Sequence, residues 1–144
     1  MSRRWKQVAL GFTVVVVAAQ LVRPDRANPS TDPSHTIQAQ VGTSSALAVV
    51  LDRSCRDCHS NGTEWRWYTQ IAPLSWLMAY GVKEGRNVVN FSEWTAYPLE
   101  RQRALLAASC KAARAGTMPG AYAWLRPETR LSPPDIETIC AASH

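Results

Sequence analysis

The stretch Cys55-Arg56-Asp57-Cys58-His59 brings two thiols and an imidazole together within five residues. Two cysteines separated by two residues and followed directly by histidine form the spacing at which haem is attached covalently. The thiols can add across the two vinyl groups of the haem, and the histidine then presents a neutral ring nitrogen that suits iron. The motif therefore predicts one covalently bound haem c, attached to Cys55 and Cys58, with His59 as an iron ligand.

Two other uses of a Cys-x-x-Cys pair fit this chain less well. A structural zinc site needs a second ligand pair at compatible spacing, and Cys110 and Cys140 lie too far apart in the sequence to form one. A thioredoxin-like redox motif is expected to follow a strand within a βαβ unit. The pattern around Cys55 and Cys58 predicts no such strand, so covalent haem attachment is the favoured interpretation.

The iron position opposite His59 has several candidate ligands. Met118 is preferred because it lies in a loop before Pro119, where its thioether is not needed for helix packing. The combination of histidine and methionine raises the reduction potential relative to two histidines, which suits an electron carrier. The alternatives are an open or water-bound iron, or another side chain of this chain, namely Met78, His35 or His144.

The hydrophobic pattern predicts an all-α fold. Apolar residues recur at helical spacing, and no segment alternates convincingly with the period of two that marks a strand. Starts and stops predict helices from residue 44 or 45 to His59, from Pro73 to near Gly81, from Pro98 to Ala115, and from Ser132 onward. The first of these would place both motif cysteines on its buried face, near its C-terminal end.

The N-terminal part of the chain is typical of an exported protein. A basic start precedes an apolar run over residues 8–22, so 1–22 is predicted to be a signal or anchor, 23–43 a Pro/Ser-rich tether and 44–144 the haem domain. We expect an uncleaved anchor that holds the domain on the periplasmic side of the bacterial inner membrane. The alternative is a soluble periplasmic protein after cleavage near Ala19.

Charge and cysteine use limit the remaining function classes. The formal net charge is +5, but the basic excess is concentrated at the N-terminus and the domain itself is close to neutral. With no basic stripe interleaved with aromatic residues, we expect no nucleic acid partner. In an oxidising compartment Cys110 and Cys140 are expected to form a disulfide, the alternative being two buried free thiols.

Several motifs together resemble a known bacterial family. Together they resemble the bacterial "haem-binding domain" proteins, a family of monohaem c-type cytochromes. The resemblance covers about residues 40–144 and is carried by Asp57-Cys58-His59-Ser60-Asn61, Trp67-Tyr68, Ile71-Ala72-Pro73-x-Ser75-Trp76-Leu77, Gly85-Arg86, Asn90-Phe91-Ser92-Glu93-Trp94, Gly116-x-Met118-Pro119 and Leu131-Ser132. It implies a small cytochrome c-like helical domain around one covalent haem, a membrane-tethered periplasmic location and Met118 as the sixth ligand. Members often carry histidine-proline where this chain has Arg126-Pro127.

The resemblance also implies roles for residues around the haem. In such cytochromes a carbonyl on a proline-containing loop accepts the far N–H of the ligand histidine, and Pro73 with its neighbour Ala72 is the corresponding position here. The haem propionates need hydrogen-bond donors. The candidates for that role are Arg66, Arg86, Trp76 and Tyr122.

The expected function is a non-enzymatic electron carrier that exchanges single electrons with redox protein partners and takes no small-molecule substrate. The alternative is a haem-based sensor or a small peroxidase-like enzyme with an open sixth iron position, which would want polar groups on the open side. A haem-carrying subunit of a larger membrane complex is a third possibility with weaker support, because the single apolar segment has few small residues for helix packing.

Overall fold

The computed structural model describes residues 3–143, and every regular element in that range is helical. This confirms the predicted all-α class. The α-helices of the described range are α1 (Arg3–Ala19), α2 (Ile37–Val41), α3 (Ala46–Ser54), α4 (Arg56–His59), α5 (Leu74–Val88), α6 (Leu99–Arg114), α7 (Tyr122–Leu125) and α8 (Pro133–Ala141). Short 3₁₀ helices occur at Pro33–His35, Trp67–Gln70, Phe91–Ala96 and Pro127–Thr129.

Local sequence signals account for several of the helix ends. The Ser45 side chain accepts a hydrogen bond from the backbone N–H of Ala48 and so begins α3. Ser132 and Asp135 cap each other's backbone at the start of α8, which also carries proline in its first turn. Both helix starts agree with the sequence prediction. A cap joins residues only three positions apart, so it can be recognised from the local sequence.

Two predicted helices have different extents in the structure. The helix expected to run unbroken to His59 divides at Cys55, whose φ of −123° and ψ of −25° separate α3 from α4. The helix expected to end near Gly81 continues to Val88. Both differences change the haem motif's surroundings, since α4 packs against the additional turns of α5.

The hydrophobic core lies directly beside the haem motif. Trp94 is only 2 % exposed, and its ring lies 5.9 Å from the rings of Phe91 and Tyr97, centroid to centroid. Leu51 of α3 and Ile139 of α8 complete the same cluster, and Cys55 packs against it. Large aromatic surfaces contribute strongly to burial in a domain of this size, and here they fix the position of the segment that precedes the motif.

A disulfide joins α6 to α8. Cys110 and Cys140 are bonded, and both are buried where the two helices pack. This is the pair that the sequence predicted. The bond closes a loop with a sequence separation of 30 residues.

Replacing both disulfide cysteines by alanine is expected to lower the free energy of unfolding by roughly 3–4 kcal/mol, since a loop of this length loses its entropic constraint in the unfolded chain. Urea denaturation of the wild type and of Cys110→Ala/Cys140→Ala measures the difference. Detection of more thiols than Cys55 and Cys58 in denatured, unreduced apoprotein would contradict the bridge.

Helix α1 exposes its apolar side chains. Trp5, Leu10 and Phe12 are between 67 and 69 % exposed, and the helix buries none of its residues. No helix within residues 3–143 combines the length and the apolar character that crossing a membrane requires. The anchor over residues 8–22 stays a prediction.

The segment predicted to be a tether, residues 23–43, packs on the domain instead. Ile37 is fully buried in the core. The Arg26 guanidinium donates to the Thr69 carbonyl at 3.1 Å, and the Asn61 amide donates to the Ser30 carbonyl at 3.1 Å. The prediction of a free tether is wrong for these residues, because one large apolar side chain and a series of main-chain acceptors hold them against the helices.

Candidate functional site

The ring of His59 is held by the C-terminal end of α5. Its Nδ1 lies 2.9 Å from the Gly85 carbonyl oxygen and 3.3 Å from that of Val89. A carbonyl can only accept, so Nδ1 carries the hydrogen and Nε2 keeps its lone pair. Burial lowers the pKa of His59, which keeps the ring neutral. His59 is thus arranged as a metal ligand whose tautomer and orientation are set by the backbone.

The acceptor predicted for this histidine is therefore wrong. The Pro73 carbonyl accepts from the backbone N–H groups of Trp76 and Leu77 at the start of α5, and the Ala72 carbonyl accepts from Gln20 Nε2 at 3.4 Å. The acceptors lie at the opposite end of the helix. The Gly85 carbonyl also accepts from the backbone N–H of Val89 at 3.0 Å, and its second lone pair is available for His59. The unforeseen length of α5 brings this carbonyl to His59.

Gly85 allows α5 to approach the motif closely. A Cβ built on this residue would lie 2.3 Å from the Cys58 carbonyl oxygen and 2.9 Å from its carbonyl carbon. Such distances are far inside van der Waals contact, so no larger residue fits without moving the backbone. The absence of a side chain here is what permits the hydrogen bond between the Gly85 carbonyl and His59.

The motif opens onto an apolar cavity of about 240 Å³. Both cysteines of the motif line it as free thiols. Burial raises the pKa of Cys55 to about 12 and that of Cys58 to about 11, so both thiols are protonated at neutral pH. The apolar part of the wall comes from α3, α5, α6 and α8 and from two connecting segments, and includes Leu51, Val88, Val89, Phe91, Leu105, Ala108, Ala112, Ala113, Leu131 and Ile139.

Of the candidate sixth ligands, the structure brings Met118 to the cavity. Met118 and Pro119 follow the end of α6 and line the same cavity as His59, and the methionine is 50 % exposed. Met78 is buried in α5 and does not line the cavity. His35 ends a short 3₁₀ helix away from the lining, and His144 lies outside the described residues.

One carboxylate of the motif is buried in a hydrogen-bonded network. The Tyr122 hydroxyl donates to Asp57 Oδ2 at 2.6 Å, and Arg126 Nη1 binds the same oxygen. The backbone N–H of Glu64 donates to Asp57 Oδ1 at 3.1 Å. Burial and the hydrogen bond to Asp57 raise the pKa of Tyr122, so its hydroxyl stays protonated.

Sequence reasoning missed this network, although it placed Tyr122 near the haem. Tyr122 lines the cavity, but its hydroxyl is directed to Asp57. The residue that could have revealed the network is Asp57, because a carboxylate inside a buried motif requires a cationic partner. The arginine at position 126, where family members often carry histidine, is that partner.

Arg86 does not contact the cavity. Its guanidinium donates to the carbonyls of Ser60 at 2.8 Å and of Ala27 at 3.1 Å, and also to the side chain of Asn28. The N-terminal segment and the turn after His59 occupy its donors, and its role as a haem contact stays a prediction. Arg86 instead joins that segment to the motif.

Trp76 and Arg66 also bind other parts of the protein and do not line the cavity. The indole N–H of Trp76 donates to the Val22 carbonyl at 2.7 Å, and Arg66 pairs with Glu64 at 2.8 Å. Neither residue lines the cavity, and Pro73 does not either. The sequence predicted that the N-terminal segment stands away from the domain. In the structure this segment lies against Trp76 and accepts the hydrogen bond from its indole, so Trp76 is not directed to the cavity.

The comparison with protein families bears on this cavity. The haem-binding domain family matches residues 14–143, which include every residue of the site. The chain belongs to the haem-binding domain family. The predicted family membership is thereby confirmed, and haem is the cofactor of this protein. No match to this haem-binding domain protein was found among curated proteins or solved structures.

The residues of the cavity fit a haem. Two thiols, one imidazole with a free Nε2 and one thioether open into a single space whose remaining wall is almost entirely apolar. The macrocycle is flat and apolar, while its iron binds imidazole nitrogen and thioether sulfur. The polar side chains of the wall already have partners within the haem-binding domain, as the Ser109 hydroxyl shows by donating to the Leu105 carbonyl at 2.9 Å.

Proposed function

We propose that this haem-binding domain protein is a monohaem c-type cytochrome that carries single electrons between redox protein partners. The observation that carries the proposal is the convergence of Cys55, Cys58, His59 and Met118 on one apolar cavity. The two cysteines would hold one haem c through thioether bonds, and His59 and Met118 would bind its iron. When bound, the haem supplies a one-electron couple between ferric and ferrous iron.

The protein groups around the cofactor have definable roles. The bond from His59 Nδ1 to the Gly85 carbonyl orients the imidazole and makes Nε2 a better donor. The apolar wall restricts water at the cavity and so influences the reduction potential. Met118 closes the cavity from the loop after α6, and its exposed half provides an edge near which a partner can dock weakly.

The state of the polar lining residues favours a carrier over an enzyme. A peroxidase or a gas sensor needs polar groups free to activate or hold a ligand at the open iron position. In this cavity Asp57 and Tyr122 bind each other and Arg126, and Ser109 is bonded within α6. Because these side chains already have hydrogen-bond partners, the cavity lining within residues 3–143 offers no acid–base pair to act on a ligand of the iron.

A sensor or small peroxidase-like enzyme with an open sixth position is the alternative function. It is favoured by one observation, the 50 % exposure of Met118 on a loop. A methionine so placed could leave the iron to an external ligand. The optical test below separates the two functions.

We further propose that the protein acts in the periplasm, on the outer side of the bacterial inner membrane. The Cys110–Cys140 disulfide supports an oxidising compartment. The basic N-terminus and the apolar run over residues 8–22 support export, whether this segment keeps the protein at the membrane or is cleaved near Ala19.

Replacing Met118 by alanine is expected to abolish the weak red-edge absorption that an iron–thioether bond gives the oxidised protein. The same variant, once reduced, should bind carbon monoxide readily, whereas the wild type should not. Met78→Leu is the matched control, because this methionine is buried in α5 outside the cavity and its replacement should leave both properties unchanged. A wild type that is high-spin when oxidised would refute methionine ligation and favour the alternative function.

A further inference from the structure

The carboxylate of Asp57 joins the haem motif to a distant part of the chain. It lies between the two attachment cysteines and is buried, with side-chain exposures of 7 % for Asp57 and 11 % for its partner Arg126. Its two oxygens accept from three groups in total, the Tyr122 hydroxyl, the Arg126 guanidinium and the Glu64 backbone N–H. The net stability that a buried ion pair adds is small, since its desolvation cost offsets most of its attraction.

Both distant partners belong to the segment that follows Met118. Tyr122 begins α7, and Arg126 follows its last residue. The backbone N–H of Tyr122 donates to the Pro119 carbonyl at 3.2 Å, so α7 continues directly from the methionine loop. A displacement of α7 relative to the motif would therefore move Met118 relative to His59.

Other contacts restrain the two ends of the methionine loop. Its start is tied to α6 by the backbone N–H groups of Gly116 and Thr117, which donate to carbonyls of α6 at 3.1 Å each. The Met118 side chain itself is half exposed and gains little from burial. At the far end, Tyr122 and Arg126 bind the Asp57 carboxylate, which is the side-chain contact from α7 to the residues between the motif cysteines. Arg126 also pairs with Glu64 at 3.4 Å and with Glu128 at 2.9 Å.

We propose that Asp57, Tyr122 and Arg126 form a latch that positions Met118 over the iron that His59 binds. Arg126 and Tyr122 are positioning residues, since they act on the axial ligand through α7 and the loop. The proposal rests on the proposed function. It assigns to Arg126, which stands where family members often carry histidine, the task of holding the sixth ligand in place.

The test is the optical state of the iron in haem-loaded Arg126→Met. Haem should remain covalently attached, because both thiols and His59 are unchanged. The thioether absorption of the oxidised form should weaken, and the fraction of reduced protein that binds carbon monoxide should rise roughly tenfold, equivalent to about 1.4 kcal/mol. Arg126→Lys, which keeps the charge, should retain most of the absorption.

Two further variants make the result decisive. Arg53→Met removes an ion pair of 2.7 Å between α3 and α8, away from the latch, and should leave the iron spectrum unchanged even if stability falls. Tyr122→Phe removes only the hydroxyl that donates to Asp57 and should weaken the absorption in part. It serves as the deciding variant if Arg126→Met does not accumulate.

Wild-type thioether absorption and wild-type resistance to carbon monoxide in Arg126→Met, or in Tyr122→Phe if that is the variant obtained, would overturn the latch. A loss of stability without any change in the iron spectrum would also overturn the latch, because that is the result expected if the ion pair is purely structural. Failure of the underlying function looks different, since the wild type itself would then lack covalent haem or the thioether absorption.

Discussion

Replacing Cys55 and Cys58 together by alanine will leave the purified protein without covalently attached haem. These are the free thiols that line the cavity, and no thioether bond can form without them. Peroxidase staining of a denaturing gel measures this directly, because haem held only by coordination is lost when the chain unfolds. The expected result is complete loss of the stain.

The disulfide pair provides the matched control for this result. Cys110→Ala/Cys140→Ala also removes two sulfur atoms, but from the contact between α6 and α8, outside the cavity lining. That variant should be less stable and should still stain. Full staining of Cys55→Ala/Cys58→Ala would refute covalent attachment through the motif and, with it, the proposed cytochrome function.

Replacing Gly85 by alanine will lower the free energy of unfolding by about 1–3 kcal/mol, the range for forced overpacking of a well-packed site. The new Cβ would lie 2.3 Å from the Cys58 carbonyl oxygen, which is backbone and cannot rotate away. Helix α5 must then move from the motif, which also lengthens the bond between the Gly85 carbonyl and His59. Urea denaturation of the apoprotein measures the stability, and the haem-loaded spectrum reports on His59.

Gly81 offers a control on the same helix with the opposite expected sign. A Cβ at Gly81 meets nothing within 4 Å, so Gly81→Ala adds helix propensity without a clash. It should stabilise the protein by about 0.5–1 kcal/mol. If Gly85→Ala were as stable as Gly81→Ala, the close approach of α5 to the motif would be wrong.

The pair of glycines also shows why a sequence alone could not separate their roles. The sequence predicted that the helix ends near Gly81, which placed Gly85 beyond its end. In the structure both are helical, and only the packing of α4 against α5 makes one replaceable and the other not. Glycine in a helix costs stability, and the close approach of the motif explains that cost at Gly85 but not at Gly81.

The sequence by itself determined the local features of this protein. The spacing of Cys55, Cys58 and His59 indicated the haem chemistry, and the helical period of apolar residues indicated the all-α class. Ser45 and Ser132 marked the starts of α3 and α8. Each of these signals depends on residues within one or two helical turns, where chain geometry leaves few alternatives.

Tertiary structure alone decided the contacts that complete the site. The partner of His59 is Gly85, 26 residues away, and the partner of Asp57 is Arg126, 69 residues away. Residues 23–43 pack on the domain because Ile37 finds a place in a core assembled from several helices. No local pattern encodes such pairings, because their free energy arises only when the apolar faces of separate helices have packed and their polar groups must find partners there.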